Sequence, residues 1–172
     1  MTARYDNHSR LSEADPARMR NRRQGPAGRH PRRIKLDNAF RPLPVDEGDE
    51  LFPNGIFEFN VTKMLAFIEA NPDKFPIEEA EVERLRSLSP ETLDEKTIRE
   101  ADLSKPVILA EISPGRFNVI DGNHRVESAG RRGLRTIPAR RIGPEQHQVF
   151  LTSARAYEAY VQYRNSKLAD IE

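Results

Sequence analysis

Phe117-Asn-Val-Ile-Asp-Gly-Asn-His-Arg-Val-Glu-Ser-Ala-Gly-Arg-Arg-Gly-Leu-Arg-Thr-Ile-Pro-Ala-Arg-Arg-Ile142 decides how this chain is read. A β-branched run, Val119-Ile120, stops at Asp121-Gly122. A helix-compatible stretch follows at once, from Asn123 to Arg132, and Gly133 ends it. A second short strand then runs from Thr136 to Ile142. The polar pentad Asp121-Gly122-Asn123-His124-Arg125 therefore sits where a strand hands over to a helix N-terminus. Such an end presents unpaired amides and a partial positive charge, and it suits anions, phosphates above all. His124 and Arg125 add donors, and Gly122 lets a ligand approach the backbone.

Outward from this stretch, Pro106-Val-Ile-Leu-Ala-Glu-Ile112 reads as a buried strand, and Ser113-Pro-Gly115 turns it into Arg116–Ile120 as a hairpin. Gly55-Ile-Phe-Glu-Phe-Asn60 alternates apolar and polar residues like a half-buried strand. Val61 to Asn71 reads as an amphipathic helix with Asn60 or Thr62 as cap and Pro72 as stop. Ile77 to Leu88 is predicted as a second helix, with Ile77, Val82, Leu85 and Leu88 on its apolar side. Glu91 to Leu103 is weakly helical. Pro144 sits at a favoured first-turn position, and Ser153 caps a last helix running through Asn165. Tyr157, Tyr160, Val161 and Arg164 line one side of that helix and read as packing. Strands and helices in this order predict an α+β fold.

Only 37% of residues are hydrophobic, so part of the chain is not expected to pack. Charge is segregated. Residues 1–35 hold ten Lys/Arg against three Asp/Glu, residues 36–105 eight against seventeen, and residues 106–172 ten against seven. Either a polyanion partner or an intramolecular pairing of the basic and acidic parts follows from this. Residues 1–36 read as a disordered basic arm suited to non-specific contact with nucleic-acid phosphates. Residues 37–54 read as a Pro-rich acidic connector, 55–142 as the folded domain, and 143–172 as a helical extension packed on it. Cysteine is absent, which excludes disulfides and thiol catalysis. No apolar run reaches the roughly 20 residues of a membrane span, and the N-terminus lacks an apolar signal core. A cytoplasmic protein with no membrane contact is the expectation.

The residues also resemble the ParB/sulfiredoxin superfamily. Leu103-Ser-Lys-Pro-Val-Ile-Leu109 resembles its first box, Val119-Ile-Asp-Gly-Asn-His-Arg-Val-Glu-Ser-Ala129 its second, and Arg132-Gly-Leu-Arg-Thr-Ile-Pro138 the strand-leading segment that follows. The resemblance covers about residues 55–142 and implies a small mixed sheet flanked by helices. Asn123 stands where sulfiredoxins carry a catalytic cysteine, so sulfinic acid reduction is excluded. Asn123-His124-Arg125 replaces the Glu-Arg-Arg usual in partitioning proteins, and the chain ends before a helix-turn-helix reader, so a partitioning protein is not expected. ParB-like nucleases, small plasmid-borne inhibitors of DNA transfer and nucleotide-dependent small-molecule kinases remain, the first of them compatible with a plasmid or phage association.

Each candidate residue has two readings. Arg125 either binds phosphate or pairs with Glu127 or Glu111. His124 either donates to phosphate and serves as acid or base, or is a structural histidine. Asn123 orients a ligand or caps the helix. Asp121 ligates Mg²⁺ or activates a nucleophile, or it is a cap. Glu127 is a second catalytic carboxylate or a surface residue. Lys105 and Asn60 are further candidates for holding a cofactor. The leading expectation is a ParB-like protein that binds ATP or another nucleoside triphosphate at 121–125 and acts on nucleic acid. Its most concrete form is a Mg²⁺-dependent nuclease or triphosphatase. The basic arm and Arg131, Arg132, Arg135, Arg140 and Arg141 would supply backbone attraction. A small-molecule kinase and a non-enzymatic nucleotide sensor or inhibitor are the alternatives.

Overall fold

The strand Val107–Ser113 (β4) is apolar at nearly every position because both of its faces are covered. Ile108, Ala110 and Ile112 point into one hydrophobic cluster, while Val107 and Leu109 point into another. Successive side chains of a strand alternate between faces, so this division follows from the pleat. A computed structural model describes residues 31–55, 57–87 and 92–171; of the arm expected at 1–36, residues 1–30 lie outside them.

In chain order the elements are β1 (Leu51–Asn54), β2 (Phe57–Asn60), α1 (Val61–Ala70), β3 (Glu78–Glu81), α2 (Val82–Arg86), α3 (Glu95–Arg99), β4, β5 (Arg116–Asp121), α4 (Asn123–Arg131), β6 (Thr136–Ile142), α5 (Pro144–His147), a 3-10 turn (Gln148–Phe150) and α6 (Ala154–Ala169). This is a mixed α+β architecture. One sheet has the order β3-β6-β4-β5, and β1 and β2 form a separate antiparallel pair. β4 and β5 are the expected hairpin, and β4 runs parallel to β6, with β5 and α4 making the connection between them.

One face of the four-stranded sheet carries Ala80, Val82, Leu85, Val119, Val126, Ala129, Ile137 and Ala139, contributed by α2, α4 and the strands. The opposite face packs Phe57, Phe59, Met64, Ile68, Phe150, Tyr157, Tyr160 and Val161, from β2, α1, the 3-10 turn and α6. Tyr157, Tyr160, Val161 and Arg164 are all buried, as the stripe on the last helix predicts. Ser153 caps that helix through a 3.0 Å bond from the Ala156 amide, and it continues to Ala169, one turn beyond Asn165.

Two expectations are corrected. The helix predicted over Ile77–Leu88 is a strand in its first half. Glu78–Glu81 pairs antiparallel with β6, in register Glu78 to Ala139 and Glu81 to Thr136, and only Val82–Arg86 is helical. The free edge of β6 offers the segment a backbone ladder that outweighs the local helix preference of Glu and Ala. Ile77, placed on the apolar side of the helix, is 55% exposed. The second correction concerns Leu51–Asn54, inside the expected connector, which is strand β1 paired with β2. Pro53 is tolerable there because β1 pairs on one side only. The chain packs from well before residue 55. Ile34 lies in the core, and its amide and carbonyl meet the Asn165 side chain, both at 2.9 Å.

Candidate functional site

β5 ends at Asp121, Gly122 turns the chain with φ 101° and ψ 20°, and α4 begins at Asn123. An L-residue rarely adopts that φ. A Cβ at position 122 would also lie 2.6 Å from Val107 Cγ1 and 3.0 Å from Arg125 Nη2. Glycine is therefore required twice over, for conformation and for space. The first bond of α4 runs from the Val126 amide to the Gly122 carbonyl at 3.0 Å. The amides of Asn123, His124 and Arg125 precede it, and they form the positive end of the helix. No acidic side chain occupies the first turn and no side chain caps it. Asp121 is thus not the cap.

Arg125 is a tie between strands. Its Nη1 donates to the Lys105 carbonyl at 3.0 Å and the Pro106 carbonyl at 2.7 Å, and its Nη2 donates to Asp121 Oδ2 at 2.6 Å. The start of β4 and the end of β5 are held together through one guanidinium whose side chain is 15% exposed. Its ion pair is with Asp121, not with Glu127 or Glu111. Lys105 contributes its carbonyl to this tie, while the residue itself is exposed. Asn123 Nδ2 donates to the Val119 carbonyl at 3.3 Å, and its Oδ1 is enclosed without a hydrogen-bond partner. His124 Nε2 accepts from the Asp94 amide at 3.2 Å, which requires the proton of a neutral ring to sit on Nδ1. Asp94 in turn caps α3, accepting from the Thr97 amide and hydroxyl, both at 2.7 Å. Those bonds hold the Asp94 carboxyl below its ordinary range. Asp94 was not foreseen as part of the site; its spacing to Thr97 is the sort of cap signal that marks a helix start.

Glu127 faces elsewhere. Arg86 donates to both of its oxygens, at 2.8 and 2.9 Å, and Arg131 Nε donates at 3.0 Å. Arg131 also forks onto Glu95 at 2.6 and 2.9 Å. The Arg86 bonds, first among several causes, keep the Glu127 carboxyl below its usual range. A carboxylate held in this way is a weak base, and its visible role is to join α2, α3 and α4. Gly130 makes room for this, since a Cβ there would lie 2.9 Å from Arg86 Cδ. Asn60 belongs to the β2–α1 junction. It is 1% exposed, its Nδ2 donates to Asp49 at 2.6 Å, and its Oδ1 accepts from the Lys63 amide at 3.0 Å. Asp121, Gly122, Asn123, His124, Arg125 and the Lys105 backbone thus form one constellation, while Glu127 and Asn60 are bound into other networks.

The donor set does not fit a protein-held Mg²⁺. The Asp121 carboxylate is engaged by Arg125, and among the described residues no group of three or more His, Cys, Asp or Glu gathers. The basic residues also divide. Arg131 is paired with two carboxylates, Arg140 donates to the Phe75 carbonyl at 3.0 Å, and Arg141 pairs with Glu78 and lies 4.6 Å over the Phe117 ring. Arg132 and Arg135 are exposed.

A strand–turn–helix handover on a small mixed sheet, with an uncapped helix end, is chemically suited to an anion. The family model of the ParB N-terminal domain matches residues 70–150, from the end of α1 to the 3-10 turn, and that segment is similar to ParB-like proteins. The match points to a ParB-like, nucleic-acid-associated role. No curated protein matches the chain. Among the described residues no helix is long and apolar enough to cross a membrane.

Proposed function

We propose that this chain is a ParB-like nucleotide-binding protein that works on nucleic acid, with the phosphates of a nucleoside triphosphate seated at the start of α4. The observation that carries the reading is the Gly122 turn. Packed against Val107 and Arg125, it fixes the start of α4, whose first-turn amides no side chain caps and which phosphate oxygens would meet. Arg125 stiffens that turn, and His124 belongs to the same first turn of α4. In this reading Arg125 is a positioning residue that also contributes charge, and Asp121 orients Arg125 in place of holding a metal. Hydrolysis lies outside the proposal, because Asp121 and Glu127, the carboxylates that would serve it, are both held by guanidinium groups. The basic arm, with Arg132 and Arg135, would bring the protein to nucleic acid through backbone charge.

Calorimetry with ATP, CTP and GTP, with and without Mg²⁺, tests this directly. At least one nucleotide should bind. Arg125→Ala should lose affinity by at least about 10-fold, the scale of one charged hydrogen bond. His124→Ala should fold normally and show a smaller loss. Absence of binding to all three nucleotides would sink the proposal. Removing residues 1–30, which leaves Ile34 in its place, should weaken nucleic-acid binding and flatten its salt dependence.

A further inference from the structure

A cleft lies at the other end of the β4–β5 hairpin from Gly122. β4 runs from Val107, beside the pentad, to Ser113, a span of about 20 Å at strand rise. There the hairpin tip, Ser113, Pro114 and Arg116, faces Tyr163, Lys167, Asp170 and Ile171 from the last turns of α6 and the residues after it, around a cleft of about 240 Å³. Its floor is aromatic. Tyr163 is 37% exposed, and its inner side rests on Phe57 with ring centroids 5.5 Å apart. Lys167 Nζ lies over the Tyr163 ring, 5.9 Å from its centroid, and 3.1 Å from Asp170 Oδ2. Arg116 is exposed at the rim, and Ile171, 62% exposed, extends the apolar surface.

We propose that this cleft binds one nucleotide unit of a single-stranded nucleic acid, the base against Tyr163 and Ile171 and the phosphate between Arg116 and Lys167. A partly exposed aromatic ring beside two cations is the combination that holds single strands without reading sequence, since every base has a π-face and every unit a phosphate. Duplex DNA fits poorly, because its bases are not free to stack on a side chain. Asp170 partly neutralises Lys167 and moderates the field. The inference rests on the nucleic-acid-associated reading of the chain but not on nucleotide binding at Gly122.

The test is fluorescence anisotropy of a labelled oligo(dT) with the full chain, with oligo(dT) and duplex as competitors. Arg116→Glu and Lys167→Glu should each weaken binding severalfold and lower the slope of log K against log salt by about 1. Tyr163→Ala should weaken binding by about 5-fold or more, whereas Tyr163→Phe, which keeps both the stacking face and the packing on Phe57, should bind like the parent. Asp170→Asn should tighten binding. Thermal melts of all variants separate lost contacts from lost fold. Unchanged binding by both charge reversals, or absence of any oligo(dT) binding, overturns the proposal. So does a preference for an acidic phosphopeptide over oligo(dT). Nucleotide calorimetry on Arg116→Glu should match the parent, so failure at this cleft and failure at Gly122 are read separately.

Discussion

His147 is fully buried, with Nε2 2.7 Å from the Glu111 carbonyl and its ring edge-on to Phe59 and Tyr160. A carbonyl only accepts, so Nε2 carries the proton and Nδ1 is a bare lone pair, which has no partner. Burial, with the nearby Arg164 charge as a lesser cause, pushes the imidazole down to about 4. The folded state therefore binds this proton less readily than the unfolded chain, whose histidine titrates near 6.5. Stability from this group is complete above the unfolded value and is lost as pH falls from about 6.5 toward 4. The full loss is roughly 3 kcal/mol by linkage. Urea midpoints measured at pH 7.5 and 4.5 should show this loss in the parent. His147→Gln, whose amide can still donate to Glu111, should show a distinctly shallower pH dependence. The sequence marks His147 only as a histidine on a short helix after Pro144; its burial depends on Phe59 and Tyr160, remote in the chain.

Between elements, the junction of β5 with α4 concentrates the largest local constraint. Gly122→Ala would force a left-handed φ on an alanine, a cost of about 1–2 kcal/mol, and would press its Cβ into Val107. Chemical denaturation of Gly122→Ala should show at least that loss. The double variant with Val107→Ala should recover the steric share and not the conformational one. Complete recovery would mean that the backbone at 122 is not strained. The ion-pair set of Arg86, Glu127, Arg131 and Glu95 joins α2, α3 and α4 on the same side of the sheet, and it is solvent-facing on its Arg and Glu95 members. Its contribution is orientation of short helices more than stability. The handover was legible because every signal in it is local: a β-branched run, a glycine, a helix of suitable composition. The partner of Arg125 was not, since Lys105 and Pro106 reach it only once β4 and β5 have paired.

On the scale of the molecule, the sheet is covered on both faces by unequal contributions. The side built on α2 and α4 falls inside residues 70–150, the segment matched by the ParB N-terminal domain. The side built on Phe57, Phe59, Met64, Ile68, Tyr157, Tyr160 and Val161 draws most of its residues from outside that segment. Ile34 and Asn165 then close residues 32–40 onto α6, with Phe40 stacked on Tyr157 at 4.0 Å. A fragment of residues 70–150 would leave Ile108, Ala110, Ile112, Ile120 and Ile142 facing water. It should fail to show a cooperative melt, whereas residues 31–172 should melt as one unit. Circular dichroism and heteronuclear NMR dispersion on both fragments check this, and a well-dispersed spectrum from 70–150 would refute it.

Strands and helices set by short-range pattern were readable from the chain alone. Thr136–Ile142, the hairpin at Ser113–Gly115, the start of α4 and the Ser153 cap all depend on residues within a turn or two of one another, and the α+β class follows from their order. What needed the assembled molecule was every choice made between distant partners. Glu78–Glu81 became a strand because β6 had an open edge, Leu51–Asn54 because β2 did, and Glu127 joined Arg86 because α2 came to lie beside α4. Local propensities differ by fractions of a kcal/mol per residue, and one ladder of backbone hydrogen bonds or one forked ion pair between remote segments is enough to reverse them.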